Sequence, residues 1–177
     1  MPQITGHFET LYFTSFKTDF GWIRTISNGQ SLIRLDWNQT GWNDSDQPDN
    51  VSRETKSQLE AFFAADLRQF SLPLAPAGKS AAGKRWLEVM AEIPYGTVVT
   101  YGEFAALAGN PKATRAAGST CASNPIPIIY PCHRVVRANG SLGNYSGGSD
   151  HHPTHPDNLA RKAELLRLEA KGAANAA

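Results

Sequence analysis

Apolar and polar residues take turns along an early part of the chain. Over 30–37 apolar side chains alternate with charged ones, which predicts a strand with one buried and one solvent-facing side. The segment 20–27 is rich in aromatic and β-branched residues, and Asn28-Gly29 between the two segments is a common two-residue hairpin turn. We therefore expect an antiparallel hairpin, followed by a polar loop over 41–50.

Helical periodicity replaces this alternation further along the chain. Apolar residues recur every three or four positions over 59–70, and Ser57 with Glu60 fits a capping box at the start of that helix. A second amphipathic helix is predicted over 82–93. Between the two helices, residues 71–80 contain two prolines and a glycine, which predicts a linker between an N-terminal and a C-terminal domain.

Two short helices are expected next, over 101–108 and 110–119, joined at Gly109. Asn110 suits an N-cap and Pro111 suits the first helical position. Two short helices with a glycine in the turn are what a helix-turn-helix requires, but ordinary helical hairpins share the pattern. The pattern alone leaves both alternatives open.

The segment around Cys132 carries the strongest chemical signal. A thiol attacks only as a thiolate, and the neighbouring His133 and Arg134 offer a base and a cation that would activate it. Adjacent strand residues point to opposite faces, but Pro131 disfavours a regular central strand and predicts a local change of direction. The alternative is a small buried apolar cysteine, which is the structural role that we expect for Cys121.

Composition narrows the class of protein without choosing a function. The chain has 177 residues, 41% apolar and 19% charged, which is typical of a soluble globular protein of one or two small domains. Its two cysteines imply no disulfide framework, and a working free thiol favours the cytoplasm. The net charge is +1, with six Lys/Arg against three Asp/Glu over 81–148. This balance permits DNA binding without demonstrating it.

Five segments, in this order and spacing, resemble the 6-O-alkylguanine-DNA alkyltransferases. They are Ile93 to Glu103, Ala108 to Gly118, Ser123 to Pro125, Ile126 to Val136, and Gly143 to Gly148. The resemblance is dense from about Trp86 to Gly148, resumes at Leu159, and is loose over the first 80 residues.

The resemblance implies an α+β fold with two domains. Residues 1–80 would form a small antiparallel sheet with a helix, similar to ribonuclease H, with the linker at 71–80. Residues 81–172 would form a mostly helical winged helix-turn-helix domain that binds DNA and carries the alkyl acceptor. Residues 173–177 are expected to be a disordered tail.

The same resemblance implies a catalytic group of four residues. Cys132 would be the alkyl acceptor and His133 the base that takes its proton through a water molecule. Glu169 would orient His133, and the hydroxyl of Tyr101 would protonate the departing guanine. Without the resemblance, Glu169 is an ordinary carboxylate on a solvated helix face.

A second group would bind DNA and the extruded base. The resemblance implies that Arg115 fills the gap left by a flipped nucleotide, while the small residues beside it let the helix approach the minor groove. The residues expected to contact DNA or frame the base are Arg115, Ala116, Ala117, Gly118, Asn124, Arg134, Tyr145 and Ser146. Asn124 is equally suited to the turn before Pro125.

The implied activity is direct damage reversal. An alkyl group would pass irreversibly from the 6-oxygen of guanine in duplex DNA to Cys132, with the 4-oxygen of thymine left open as a second target. The protein would act once, as a monomer, with no cofactor and no membrane, and cooperative DNA binding is left open. A non-catalytic damage-recognition protein is the alternative, but such relatives replace the acceptor cysteine, which is present here. A cysteine hydrolase would have no use for the DNA-binding segments.

One segment departs from the family pattern. Residues 149–158 form an apparent insertion that contains three histidines and two aspartates. Its two prolines and irregular spacing favour a polar surface loop over a metal site, so we expect no bound metal and a loop that bulges away from the catalytic group.

Overall fold

A three-stranded antiparallel sheet forms the N-terminal part of the computed structural model, which describes residues 9–175. Its strands, in spatial order, are β1 (Tyr12–Thr18), β2 (Gly21–Ser27) and β3 (Leu32–Asn38). The hairpin of β2 and β3 is confirmed, but its predicted two-residue turn is wrong. The turn spans 28–31, because the Asn28 side-chain oxygen accepts from the backbone N–H groups of Gln30 and Ser31.

The alternation predicted along β3 is largely confirmed. Leu35 and Trp37 are buried and Arg34 is exposed, whereas Ile33 is only partly buried. The register between β2 and β3 shifts at Ile26, and as a result Leu32 lies in the core instead of Ile33. The shift explains why the strict alternation fails at the start of the strand.

Helix α1 (Asn50–Phe63) packs on the sheet and begins earlier than predicted. Asp49 is its N-cap and forms a capping box with Ser52, so the predicted capping box at Ser57 is wrong. The polar loop before it, predicted over 41–50, ends at this cap. The helix buries Leu59 and Phe62 completely.

The predicted linker follows the edge of the sheet. The Leu32 N–H donates to the Pro73 carbonyl at 2.8 Å, and the Ala75 N–H returns a bond to the Leu32 carbonyl at 2.9 Å. Helix α2 (Ala81–Ala91) then starts at its N-cap, Ser80. Residues 71–80 are therefore an ordered connection bonded to β3.

The helix pair that was predicted at 101–119 is present with altered bounds. A parallel pair of short strands, β4 (Val99–Thr100) and β5 (Val135–Val136), flanks α3 (Tyr101–Leu107) and α4 (Thr114–Ala122). Helix α4 begins at Thr114, so the predicted N-cap at Asn110 is wrong. The Asn110 carbonyl instead accepts from the Ala113 N–H in a preceding turn.

Helix α5 (Pro156–Ala174) closes the described fold. It starts within the apparent insertion, at the N-cap His155, rather than after it. It also continues past residue 173, so the tail predicted to begin there is wrong for its first residues. Residues 176–177 lie outside the described part of the chain, as do residues 1–8.

Buried residues from both halves of the chain form one hydrophobic cluster. Strand β3 also bonds the second half directly: Leu35 N–H donates to the Pro125 carbonyl and Trp37 N–H to the Gly148 carbonyl, each at 2.9 Å. The α+β class is confirmed, while the domain boundary at residue 80 stays a prediction. Within residues 9–175, no helix is long and apolar enough to cross a membrane.

Candidate active site

Cys132 opens a short 3-10 helix that covers Cys132–Arg134. The chain reaches it through an abrupt change of direction, with Ile128 at φ 74°, an unfavourable conformation for a β-branched residue. Pro131 precedes the helix, as the predicted departure from a regular strand requires. The cysteine is 1% exposed, so its thiol sits in the core rather than on the surface.

The thiol of Cys132 is protonated at rest but surrounded by groups that favour a thiolate. Burial raises its pKa, and this effect exceeds the opposing effects of its neighbours. Asn124 Nδ2 donates to the sulfur at 3.2 Å, the charge of Lys162 acts in the same direction, and so do the backbone N–H groups of Cys132 and His133. A base is therefore needed to remove the proton, and the charge that results is stabilised in place.

His133 supplies a base with one free lone pair. Its Nε2 lies 2.7 Å from Glu169 Oε1, and both side chains are almost completely buried. Burial lowers the pKa of His133 even though the bond to Glu169 opposes that effect, so the ring is neutral at rest. A neutral ring that donates from Nε2 has its lone pair on Nδ1, and Nδ1 is buried without a hydrogen-bond partner.

Glu169 is held as a carboxylate by a dense set of donors. Burial alone would raise its pKa, but hydrogen bonds from His133 and Arg134 bring the pKa of Glu169 down to about 2. Gly96 N–H donates to the other carboxylate oxygen at 3.0 Å. Helix α5 thus brings Glu169 to His133 across 36 residues of sequence, as the resemblance implied.

Arg134 is buried, in contradiction to its predicted contact with DNA or substrate. It is 5% exposed, its Nε and Nη2 donate to Glu169 at 2.8–3.1 Å, and its Nη1 donates to the Ile93 carbonyl. The sequence does not show whether a charged residue beside a catalytic pair is buried. Here the ion pair with the Glu169 carboxylate compensates for burial of the guanidinium. Arg134 therefore positions Glu169.

Tyr101 is poised as a proton donor. Its hydroxyl accepts from the Asn144 N–H at 3.3 Å, which leaves the hydroxyl hydrogen available. Burial and the nearby Cys121 and Cys132 raise the pKa of Tyr101 to about 12, so it stays protonated at neutral pH. Lys162, whose charge also acts on the Cys132 thiol, has its Nζ 6.0 Å from the centre of the Tyr101 ring.

Three residues expected to frame a base have different environments. Asn124 is buried and bonds the Tyr130 carbonyl as well as the Cys132 sulfur, while its oxygen accepts from the Ile126 N–H. Tyr145 is completely buried, and its hydroxyl has no hydrogen-bond partner. Ser146 is partly exposed and donates to the Ala122 carbonyl at 3.0 Å. Ser146 and Asn124 line a cavity of about 370 Å³.

Helix α4 divides the predicted DNA-contacting residues between two faces. Arg115 and Ala116 are exposed, and nothing lies within 4 Å of where a side chain on Gly118 would begin. Ala117 is 0% exposed and belongs to the core, so its predicted DNA contact is wrong. Four consecutive positions cannot all lie on one helix face, so the prediction fails at Ala117 and stays a prediction for the other three.

Comparisons with known proteins decide the family. Residues 82–171 match the model for the DNA-binding domain of 6-O-methylguanine DNA methyltransferases. The methylated-DNA–protein-cysteine methyltransferase of Methanosarcina acetivorans is 40% identical over 146 residues, which are 79% of this chain and 92% of the relative. The chain belongs to this family. The resemblance inferred from the sequence is confirmed, and with it DNA repair by alkyl transfer to a protein cysteine.

Two further relatives extend the match across most of the chain. The Haemophilus influenzae methyltransferase is 34% identical and covers 90% of this chain and 86% of its own length. The crystal structure of Mycobacterium tuberculosis OGT in complex with DNA has a TM-score of 0.75 and 32% identity, covering 90% of this chain and 93% of its own. The methyltransferase fold thus includes the N-terminal sheet, where the sequence resemblance was loose.

Lys162 is a site residue that the sequence reasoning missed. It is completely buried, and its Nζ donates to the carbonyls of Val135, Leu142 and Asn144. Burial lowers its pKa against the attraction of the two cysteines. It lies on the same face of α5 as Leu165 and Glu169, but the buried face of this helix is mostly polar, so no apolar stripe in the sequence marks Lys162 as buried.

The insertion lies at the surface, but it is bonded to the segment that contains Tyr145. Tyr145 N–H donates to the Pro153 carbonyl at 2.9 Å, and Asn158 is completely buried. Helix α5 already begins at Pro156. The prediction of a polar surface loop is therefore confirmed, whereas the expectation that the loop bulges away is wrong, because the Pro153 carbonyl and the buried Asn158 tie it down.

Proposed function

We propose that this methyltransferase moves a methyl or larger alkyl group from the 6-oxygen of guanine in duplex DNA to the sulfur of Cys132. The 4-oxygen of thymine offers the same chemistry as a second target. The observation that carries the proposal is the unpartnered Nδ1 of His133, a buried base next to a buried, protonated thiol. Burying a nitrogen without a hydrogen-bond partner costs free energy, and a purely structural role for His133 would not explain that cost.

The reaction begins with removal of the thiol proton. His133 Nδ1 accepts it through a water molecule, and the ionised Glu169 stabilises the imidazolium that forms. The thiolate of Cys132, held by Asn124 Nδ2, then attacks the alkyl carbon. A C–S bond forms, the C–O bond to guanine breaks, and its electron pair leaves with the base.

Tyr101 neutralises the departing guanine. Its hydroxyl proton passes to the base, and the proton held on His133 restores the tyrosine through solvent once the base leaves. The net change is one thiol proton transferred to guanine and one alkyl group transferred to sulfur. A hydroxyl with a pKa raised to about 12 gives up its proton only to a base that is gaining negative charge.

DNA binding is assigned to the exposed face of α4. Arg115 and Ala116 face solvent there, with open space at Gly118, so the helix can approach the minor groove closely. Base flipping costs a few kcal/mol, and an arginine inserted into the gap offsets part of that cost. Because Cys132 is 1% exposed, the structure around it must open before the flipped base reaches the sulfur.

The proposed product inactivates the protein. A thioether is stable to mild hydrolysis, so the alkyl group stays on Cys132. The chain therefore acts once, and the steps described require no cofactor; we propose that it acts as a monomer on duplex DNA.

Stoichiometry tests this proposal. Excess duplex carrying one 6-O-methylguanine is incubated with the protein, and intact mass is followed over time. We expect one added CH2 per chain, then no further repair, and no addition to a Cys132→Ala variant. Sustained turnover, or methyl addition to that variant, would contradict the proposal.

A further inference from the structure

Three metal-ligand side chains converge where the insertion meets helix α5. They are His151, His155 and Asp157, and one ligand atom from each lies within 4.8 Å of the other two. All three are at least partly exposed and lie outside the catalytic group. We call residues 151–157 the histidine loop.

Distances within the histidine loop match the spacing of ligands around one small ion. His151 Nδ1 and His155 Nδ1 are 3.2 Å apart, and His155 Nδ1 lies 3.8 Å from Asp157 Oδ2. Ligands at about 2.0–2.1 Å from a tetrahedral Zn²⁺ ion are separated by about 3.3–3.4 Å. The two imidazoles are close to this spacing already, and a carboxylate oxygen of Asp157 lies within 4.8 Å of both.

The present hydrogen bonds leave His155 poorly satisfied. Its Nδ1 has one lone pair, which faces both the His151 ring at 3.2 Å and the Asp157 N–H at 3.3 Å. Both distances are at the long end for hydrogen bonds that involve nitrogen. A cation between the two rings would take one lone pair from each Nδ1, replace the long Asp157 N–H bond, and bring the Asp157 carboxylate into contact with a positive charge.

The backbone of the histidine loop is held in place independently of these side chains. The buried Asn158 donates to the carbonyls of His151 and His152 at 3.4 and 3.1 Å. The Pro153 carbonyl accepts from Tyr145 N–H, which connects the loop to the active-site segment. A site that is already ordered binds an ion without a large loss of chain entropy.

We propose that His151, His155 and Asp157 bind one divalent transition-metal ion of the Zn²⁺ type, with water completing its coordination. Two imidazole nitrogens and a carboxylate are a ligand set that suits Zn²⁺. The ion would clamp the histidine loop to the first turn of α5 and so support the segment that contains Tyr145. It would take no part in alkyl transfer.

His152 provides a matched control within the same loop. Its Nδ1 faces the Thr154 hydroxyl at 2.8 Å, and His152 is not among the three converging side chains. His151→Ala and His152→Ala thus remove the same side chain from neighbouring exposed positions. His151 is preferred to His155 for the test because His155 also caps α5.

Calorimetric titration of the full chain with ZnCl₂ tests the proposal, alongside thermal unfolding with and without Zn²⁺. We expect one ion per chain in the wild type and in His152→Ala, and at least tenfold weaker binding in His151→Ala. Zn²⁺ should raise the melting temperature only of the two proteins that bind it. Absence of binding, or equal binding by both variants, would overturn the proposal, and the second outcome would move the ion to another site such as Cys132.

Discussion

The two cysteines of this methyltransferase occupy the same core but different regions of the chain. Cys121 lies near the end of α4 and Cys132 in the 3-10 helix, and each is 1% exposed. Burial raises the pKa of both thiols. At Cys121 the charge of Lys162 is the opposing influence, whereas at Cys132 the Asn124 amide and two backbone N–H groups add to it.

The difference shows that burial and thiol chemistry alone do not define a nucleophile. What distinguishes Cys132 is a set of donors ready for negative charge, together with a neutral histidine whose free nitrogen can take a proton. Regular helix geometry gives Cys121 no comparable set, since the N–H groups near it are used within α4. The donors around Cys132 depend on the irregular backbone that follows Ile128.

Removing the charge of Glu169 should have the largest effect among the variants that keep both cysteines. Glu169→Gln should slow alkyl transfer by about a hundredfold, because the imidazolium loses its counter-charge. It should also cost about 3 kcal/mol of unfolding free energy, since Arg134 is left as an unpaired buried charge. Single-turnover rates and urea unfolding measure the two effects.

Glu164→Gln is the matched control, because Glu164 lies on the same helix and pairs with Arg167 at the surface. It should change neither quantity noticeably. A folded Glu169→Gln protein that transfers methyl at the wild-type rate, with DNA binding intact, would exclude Glu169 as the residue that supports His133.

Loss of the Tyr101 hydroxyl should have a smaller effect. Tyr101→Phe should slow transfer from methylguanine by roughly thirtyfold, since the leaving base must then take its proton from water. A substrate with a better leaving group should be affected less. An equal slowing for both substrates would show that the hydroxyl acts only through its bond with Asn144 N–H.

A substitution of Arg115 tests the proposed DNA binding by α4 and leaves the thiol of Cys132 unchanged. Arg115→Ala should weaken repair of duplex about tenfold, because nothing then fills the gap left by the flipped base. Transfer from free alkylguanine base should stay within about twofold, as for a change remote from the reacting atoms. Arg53→Ala, an exposed arginine on α1, controls for the lost charge. Equal losses on both substrates would place Arg115 in another role.

The smallest effect is expected at the second cysteine. Cys121→Ala should keep the transfer rate within about twofold while lowering stability by about 1–2 kcal/mol, as expected when a small buried group is removed. Rate and unfolding are measured on the same preparation. A large loss of rate at full stability would mean that Cys121 takes part in the chemistry and that the two regions are less distinct than described.

Sequence reasoning was strongest where function depends on neighbouring residues. Cys132, His133 and Pro131 are consecutive, so their chemistry and the break in regular structure were both readable. Glu169 was reached only through the family resemblance, because 36 residues separate it from His133. Arg134 was misassigned for a related reason: a charged side chain turns inward only when a distant partner is present.

The fold was predicted best where periodicity was regular. Strand β3 and helix α2 follow their patterns, whereas β1 was missed because its apolar residues, Phe13 and Phe16, do not alternate with period two. Several serines and aspartates suit the start of α1, and only packing selects Asp49 over Ser57. Burial of Lys162 and Asn158 depends on tertiary contacts that no local pattern encodes.

The central claim is that Cys132, and not Cys121, receives the alkyl group. The most direct measurement is peptide mass spectrometry of the wild-type protein after reaction with duplex that contains 6-O-methylguanine. We expect one added CH2 on the peptide that contains Cys132 and none on the peptide that contains Cys121. A methylated Cys121, or a methyl group shared between the two peptides, would contradict the account.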